Sequence, residues 1–182
     1  MMLPVLALAT LASAGPVELT VTDHAGVYQV RGSFAVSASA DTAWSVLTDY
    51  ARIPEFVKSM KSSTVEQAED GGLRVKQQAV QRFMLVKKTI NVTLAISEQP
   101  GRRIEFRDVL GKDFRHFEGS WEIERREGGL VVTYALDAKP MSQPPGFVGR
   151  MLMSGSARDQ LEQVRAEILR RERHEEDNVD NN

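Results

Sequence analysis

Between Lys58 and Asp137 the apolar residues recur with a period of two, and turn signals interrupt them at Asp70-Gly71-Gly72, Gln99-Pro100-Gly101, Gly111-Lys112-Asp113 and Glu127-Gly128-Gly129. A stretch of this kind builds an antiparallel sheet with one apolar face, and that face needs a cover. The segmentation predicts five strands here. The alternating run Val27–Val36, with Tyr28, Val30, Phe34 and Val36 on one side, adds a sixth.

The cover is the last long apolar pattern, Phe147 to Glu172. Phe147, Met151, Ser154, Ala157, Leu161, Val164 and Ile168 follow three-and-four spacing, the signature of one buried helical stripe. Gln143-Pro144-Pro145-Gly146 marks the start, because paired prolines cannot continue a strand ladder and suit a helix entrance. Met151, Met153, Ser154, Gly155 and Ser156 crowd the first half. Methionine and small residues leave adaptable space, so this half either packs its backbone tightly on the sheet or roofs a cavity.

Facing is regular in most strands. Ile90, Val92, Leu94 and Ile96 share a side, as do Leu130, Val132, Tyr134 and Leu136, then Phe117, Gly119, Trp121 and Ile123, and Ile104 with Phe106. From Leu73 to Leu85 the pattern breaks: Leu73 and Val75 are followed on the same face by Gln77, Ala79, Gln81 and Phe83. A buried amide without a partner costs about 1–3 kcal/mol. Either a bulge shifts the register, or the two amides meet a ligand or water in a cavity.

Between the first strand and the rest, Ser39 stands where a helix N-cap is needed, Asp41 suits the first turn, and Ala40, Ala43, Trp44 and Leu47 form an apolar face. Pro54 then opens a second short helix ending near Val57. The segment VSASADTAWSVLTDYARIPEFVKSM, Val36 to Met60, together with this order of elements, resembles the START-like (SRPBCC) superfamily and within it the polyketide cyclase/dehydrase and coenzyme Q-binding group. The likeness runs from Val27 to about Arg171. It implies an α+β helix-grip fold: a curved antiparallel sheet wrapped around a long C-terminal helix, with two short helices after the first strand and an apolar cavity between sheet and helix. Members bind lipids, isoprenoid quinones or polyketides, some as enzymes and others as carriers. Placed on this sequence, the cavity would be lined by Phe83, Phe106, Phe117, Trp121 and Tyr134 from the sheet and by Phe147, Met151 and Leu152 or Met153 from the helix. Trp44 and Phe56 would lie near the corner of the short helices, and Gln77, Gln81 and the Tyr134 hydroxyl would be the polar contacts.

Composition narrows the chemistry. The 182 residues carry a formal charge of −2 and no basic block, which argues against nucleic-acid binding, and the absence of cysteine removes disulfides, thiolate metal sites and a cysteine nucleophile. His24, His116 and His174 show no metal-ligand spacing, Asp108 falls at a turn, and Arg102-Arg103 and Arg125-Arg126 read as solvated strand ends. No catalytic residue, metal or cofactor is predicted. Residues 1–14, MMLPVLALATLASA, end in an A-x-A pattern and read as a signal peptide, too short for a stable membrane span. Residues 15–26 are then an N-terminal connector, 27–172 the START-like domain and 173–182 a disordered polar tail. The expectation is a periplasmic or secreted binder of a hydrophobic small molecule. The alternatives are a cyclase or hydrolase-like enzyme acting on a bound polyketide or aromatic substrate, and a protein-interaction module.

Overall fold

The structure, a computed structural model, describes residues 15–83, 86–142 and 144–180; the side chains of residues 82, 83, 86, 179 and 180 are not among those described. Eight strands form one antiparallel sheet: β1 (Glu18–His24), β2 (Val27–Val36), β3 (Met60–Gln67), β4 (Leu73–Phe83), β5 (Val86–Gln99), β6 (Arg103–Asp108), β7 (Phe114–Arg126) and β8 (Gly129–Pro140). Their spatial order is β1-β2-β8-β7-β6-β5-β4-β3. Between β2 and β3 the chain crosses from one end of the sheet to the other through α1 (Ala40–Leu47), a 3-10 turn (Tyr50–Arg52) and α2 (Ile53–Phe56), and α3 (Gly146–Asp180) closes the fold. This is the expected α+β helix-grip arrangement.

Two strands exceed the six expected. The 15–26 connector contains β1, which pairs with β2 from Glu18↔Ser33 to His24↔Val27. Ala25 and Gly26 both take positive φ, at 53° and 79°, and Asp23 Oδ1 accepts the Gly26 N–H at 2.9 Å. Two successive left-handed residues make the hairpin turn whose twist matches the flanking strands. The short helices therefore follow the second strand. The other addition is the division of 73–99 into β4 and β5; Met84-Leu85, between them, carries no Gly, Pro, Asn or Asp signal and lies outside the described residues.

Register settles the two amides. From Leu73↔Ile96 to Phe83↔Val86 the β4–β5 pairing is unbroken, and an unbroken ladder preserves side-chain alternation. The nearest irregularity is in β3, between Met60 and Ser62. Gln77 and Gln81 thus keep the inward face. A second shift, between Phe114 and His116 in β7, turns both Phe114 and Phe117 inward, with ring centroids 4.7 Å apart.

At the α1 end, Ser39 Oγ accepts the Thr42 N–H at 2.9 Å as the predicted N-cap. The helix α3 runs on through Asp180, so the tail expected to be disordered from 173 is helical among the described residues. The reason is that its acids have a place to dock. Glu172 Oε1 accepts the Ser39 N–H at 2.9 Å and Glu175 Oε2 the Thr42 hydroxyl at 2.8 Å, which brings negative charge to the positive end of α1. One turn earlier, Glu167 accepts from Arg170 and Arg171, and Arg171 also reaches Asp49 at 2.8 Å. Those hydrogen bonds, first from Arg170 and then from Arg171, hold the Glu167 carboxyl down to about 2 against the opposing effect of burial.

Candidate functional site

α3 lies mainly on β1 and β2, its C-terminal half burying Leu161, Val164 and Ile168, and it makes only light contact with β4. Gly32 permits the close approach: a Cβ there would stand 2.5 Å from Leu161 Cδ1. Because the helix is seated on one side of a wide concave sheet, the other side is left open beneath its N-terminal half. The space is a cavity with two lobes that share Gln81, Ile90, Phe114 and Met153.

The inner lobe, of about 180 Å³, runs over Val75 and Gln77 of β4, Val92 and Leu94 of β5, Phe106, Phe117, Trp121 and Tyr134, with Met153, Ser156, Ala157 and Gln160 above it and Tyr50, Ile53 and Val57 at its end. The outer lobe, of about 340 Å³, lies between Tyr28, Lys88, Asp113, Pro140, Ser142, Pro144 and Val148, Gly149 and Leu152 of α3. Together they reach the size of an ordinary ligand pocket, roughly 300–1,000 Å³.

Among the described residues the inner lining holds no carboxylate, ammonium, guanidinium or imidazole. Its polar groups are mostly partnered. Gln77 Nε2 donates to Ser63 Oγ at 3.3 Å, Gln81 Nε2 to Ser156 Oγ at 3.4 Å, and the Tyr50 hydroxyl to Glu98 Oε1 at 2.6 Å. Tyr134 differs. Only 4% exposed, its ring lies 4.5 Å from that of Trp121 and is stacked on Phe106 at 6.2 Å, yet its hydroxyl has no hydrogen-bond partner among the described residues. Burial pushes that phenol well above its ordinary range, so it remains a proton donor and cannot serve as a base.

Of the residues expected at the site, Gln77, Gln81, Phe106, Phe117, Trp121 and Tyr134 line the inner lobe. The Phe83 side chain lies outside the described residues. Four others stand elsewhere. Phe147 is 68% exposed and Met151 51%, both on the outer side of α3. The helical wheel explains the error: Met151 is six residues before buried Ala157, about 120° around the helix, whereas Met153 and Gly149 lie four and eight before it, on the same face. Trp44 packs against the core from α1 without lining either lobe, and Phe56 sits under the Arg171 guanidinium, 5.9 Å from ring centroid to Cζ. The latter belongs to the clamp that holds α3 to α2.

Tyr28, Tyr50, Phe114 and Gln160 were not expected at the cavity. Alternation puts Tyr28 on the inward face of β2, a signal that was available; Phe114 was hidden by the register shift. Tyr28 reaches the cavity because Gly149 has no side chain, since a Cβ there would overlap the Tyr28 hydroxyl.

A larger hollow of about 550 Å³ lies on the other face of the sheet, over Ala95, Ser97, Ser120 and Ala135. Its walls carry the ion pairs of Arg31 with Asp137 at 2.7 Å and of Arg103 with Glu105, together with Arg107 and Glu118. These charges make it an open, polar groove rather than an enclosed apolar site. Among the described residues no group of three His, Cys, Asp or Glu side chains could hold a metal ion, and no helix is long and apolar enough to cross a membrane.

A sheet gripping a C-terminal helix over an apolar cavity defines a START-like protein. Residues 36–165 match the family described as polyketide cyclase / dehydrase and lipid transport, and the chain belongs to that family. No curated protein matches it. Among solved structures it resembles the Zhui aromatase/cyclase from Streptomyces sp. R1128, with a TM-score of 0.63 and 16% identity over 80% of this chain and 95% of that one. It also resembles a STAR-related lipid transfer protein (fragment 25–204) from Xanthomonas axonopodis, with a TM-score of 0.62 and 16% identity over 85% and 99%. A third likeness, TM-score 0.64 and 14% identity over 80% of this chain, is to the di-domain aromatase/cyclase StfQ of the steffimycin biosynthetic pathway, of which the chain spans only 51%. At these identities the likeness is one of fold.

Proposed function

We propose that this protein is an exported binder or carrier of a hydrophobic small molecule, lipid, isoprenoid or polyketide-like, held between the sheet and the N-terminal half of α3. The observation that carries this reading is the inner lobe: an uncharged, largely apolar chamber with one unpartnered phenol donor on its wall. Burial of the ligand's apolar surface at about 25 cal/mol per Å² would supply most of the affinity, and an acceptor oxygen reaching Tyr134 would orient it. Export is supported by the apolar run and the Ala12-Ser13-Ala14 pattern before Gly15.

Native mass spectrometry of protein recovered from its producing cell, followed by organic extraction, tests both parts. The expected result is a mature chain beginning at Gly15 with one apolar molecule per chain. An apo mass that persists after incubation with a lipid extract overturns the binder reading, and a full-length cytoplasmic chain overturns export.

A second reading is a cyclase acting on a bound polyketide or aromatic substrate, favoured by the same hydroxyl, since a donor held in an apolar chamber can polarise a substrate carbonyl. Turnover of a poly-β-ketone substrate that disappears in Tyr134→Phe while binding survives would select it. Absence of turnover in the wild type would remove it.

A further inference from the structure

Among the described residues six large apolar side chains are exposed: Val65, Val109, Leu110, Met141, Phe147 and Met151. Single exposed apolar residues are ordinary, but clustered ones mark an interaction surface. All except Val65 fall on the segments that bound the outer lobe. Val109 and Leu110 are in the β6–β7 loop, which runs into the lining residues Asp113 and Phe114; Met141 lies between Pro140 and Ser142, and Phe147 and Met151 flank Val148, Gly149 and Leu152. These segments are tied together. Met141 N–H donates to Asp113 O at 2.9 Å, and Lys88 Nζ donates to Ser142 Oγ at 3.2 Å across the opening.

The loop holding Leu110 is built rather than loose. Asp108 accepts backbone N–H groups from Thr93, Leu110 and Gly111 at 2.9–3.0 Å, which fixes a turn that presents Val109 and Leu110 outward.

Charge around the opening is as uneven. The segments 86–88, 109–115 and 139–151 contain Lys87, Lys88, Lys112, Arg115, Lys139 and Arg150 against Asp113, whose carboxylate is occupied by Asn91; Asp23, beside Gly146, and Asp108, which holds the loop turn, are acids adjoining them. The chain as a whole is −2, so this end is more basic than the remainder.

From this coincidence of an apolar rim, a basic surround and a cavity mouth we infer that the rim docks on the surface of an anionic phospholipid bilayer, with Leu110 and Phe147 among the side chains that enter the acyl boundary and the cations meeting headgroup phosphates. Apolar side chains backed by Lys and Arg are the chemistry of interfacial binding. A bilayer fits better than a protein partner because the patch residues adjoin those that line the outer lobe, so that a molecule entering there would pass from membrane to chamber without crossing water. The inference rests on the binder reading for its purpose, and its test separates the two.

Flotation of the full chain with vesicles is the experiment, using equimolar phosphatidylcholine and phosphatidylglycerol or phosphatidylcholine alone. Residues 1–14 are common to every variant, so differences between variants report the rim. The wild type is expected to float with the anionic vesicles and to be released by high salt. Leu110→Asp/Phe147→Asp, and separately Lys87→Ser/Lys112→Ser/Arg150→Ser, are expected to weaken binding at least about tenfold, while Val65→Asp, on β3, leaves it unchanged. Equal flotation of the Leu110/Phe147 and Val65 variants, or no preference for anionic vesicles, overturns the docking surface; so would a rim that binds a protein but no vesicle. Uptake of the apolar probe N-phenyl-1-naphthylamine without vesicles reads the cavity independently. Uptake retained by Leu110→Asp/Phe147→Asp alongside lost flotation supports docking, whereas rim-dependent flotation without any uptake in the wild type would sink the binder reading and leave the docking surface standing.

Discussion

A phenol buried without a partner costs about 1–3 kcal/mol, because its hydration is lost and nothing replaces it. Tyr134, whose side chain lines the cavity and whose hydroxyl has no protein partner among the described residues, carries part of that cost in the empty protein. Tyr134→Phe should therefore leave the empty protein as stable as the wild type or more stable by about 1 kcal/mol in urea unfolding, while weakening any ligand whose oxygen accepts the phenol proton by about fivefold. A loss of stability would mean that the hydroxyl is already bonded. Gly149 offers a second test, because its sign runs against propensity. Gly→Ala inside a helix normally stabilises by up to about 1 kcal/mol, but here the new methyl meets the Tyr28 hydroxyl and ring. Gly149→Ala should lower the melting temperature, and Tyr28→Phe should recover part of the loss. Residue by residue, alternation placed Gln77, Gln81, Phe106, Phe117, Trp121 and Tyr134 on inward faces and the family resemblance implied the cavity they line, whereas the register shift hid Phe114. The helical contribution was not legible, because two stripes of Met and small residues run along the start of α3 and only the position of the sheet decides which is buried.

Among the elements, α3 is held chiefly by its far end. Glu167 is buried and hydrogen-bonded by Arg170 and Arg171, and Arg171 bridges to Asp49 at the corner of the short helices. With its carboxyl lowered from 4.5 to about 2, the contribution of Glu167 is fully present above pH 4.5 and is lost as the pH falls toward 2. Glu167→Gln is expected to cost about 2 kcal/mol at pH 7, a magnitude typical of hydrogen bonds to charged groups. The gap between variant and wild type should shrink as unfolding is measured at progressively lower pH below 4.5. A gap that widened with acid would refute the assignment. The same end of the helix shows what a sequence alone conceals. Residues 173–180 are polar enough to read as disordered, and their helix becomes intelligible only once Glu172 and Glu175 are seen against the N-terminus of α1. β1 was missed for a different reason: Leu19 and Val21 alternate correctly, but the run is short and Ala25-Gly26 is a weaker hairpin signal than Asn-Gly or Asp-Gly.

Across the whole molecule, these interactions divide α3 into two regimes. From Ala157 to Ile168 the buried face is against sheet and short helices, with Leu161 and Ile168 fully enclosed; from Gly146 to Ser156 the helix spans the cavity, and Val148, Leu152 and Met153 are only partly covered. Local opening free energy follows buried apolar contact, so the roof should open far more readily than the anchored half. Hydrogen exchange on the empty protein is expected to show strong protection over 157–172 and weak protection over 146–156. A ligand filling both lobes supplies the missing apolar contact to the roof and to the β4 and β5 residues opposite, and stabilises the folded protein by mass action. Added protection on binding should therefore concentrate in 146–156 and around Gln81 and Ile90, with little change at β1 or in the latched end of α3. Uniform protection along the helix would mean that α3 moves as one rigid rod and that ligand passes into the cavity elsewhere than beneath its N-terminal turns.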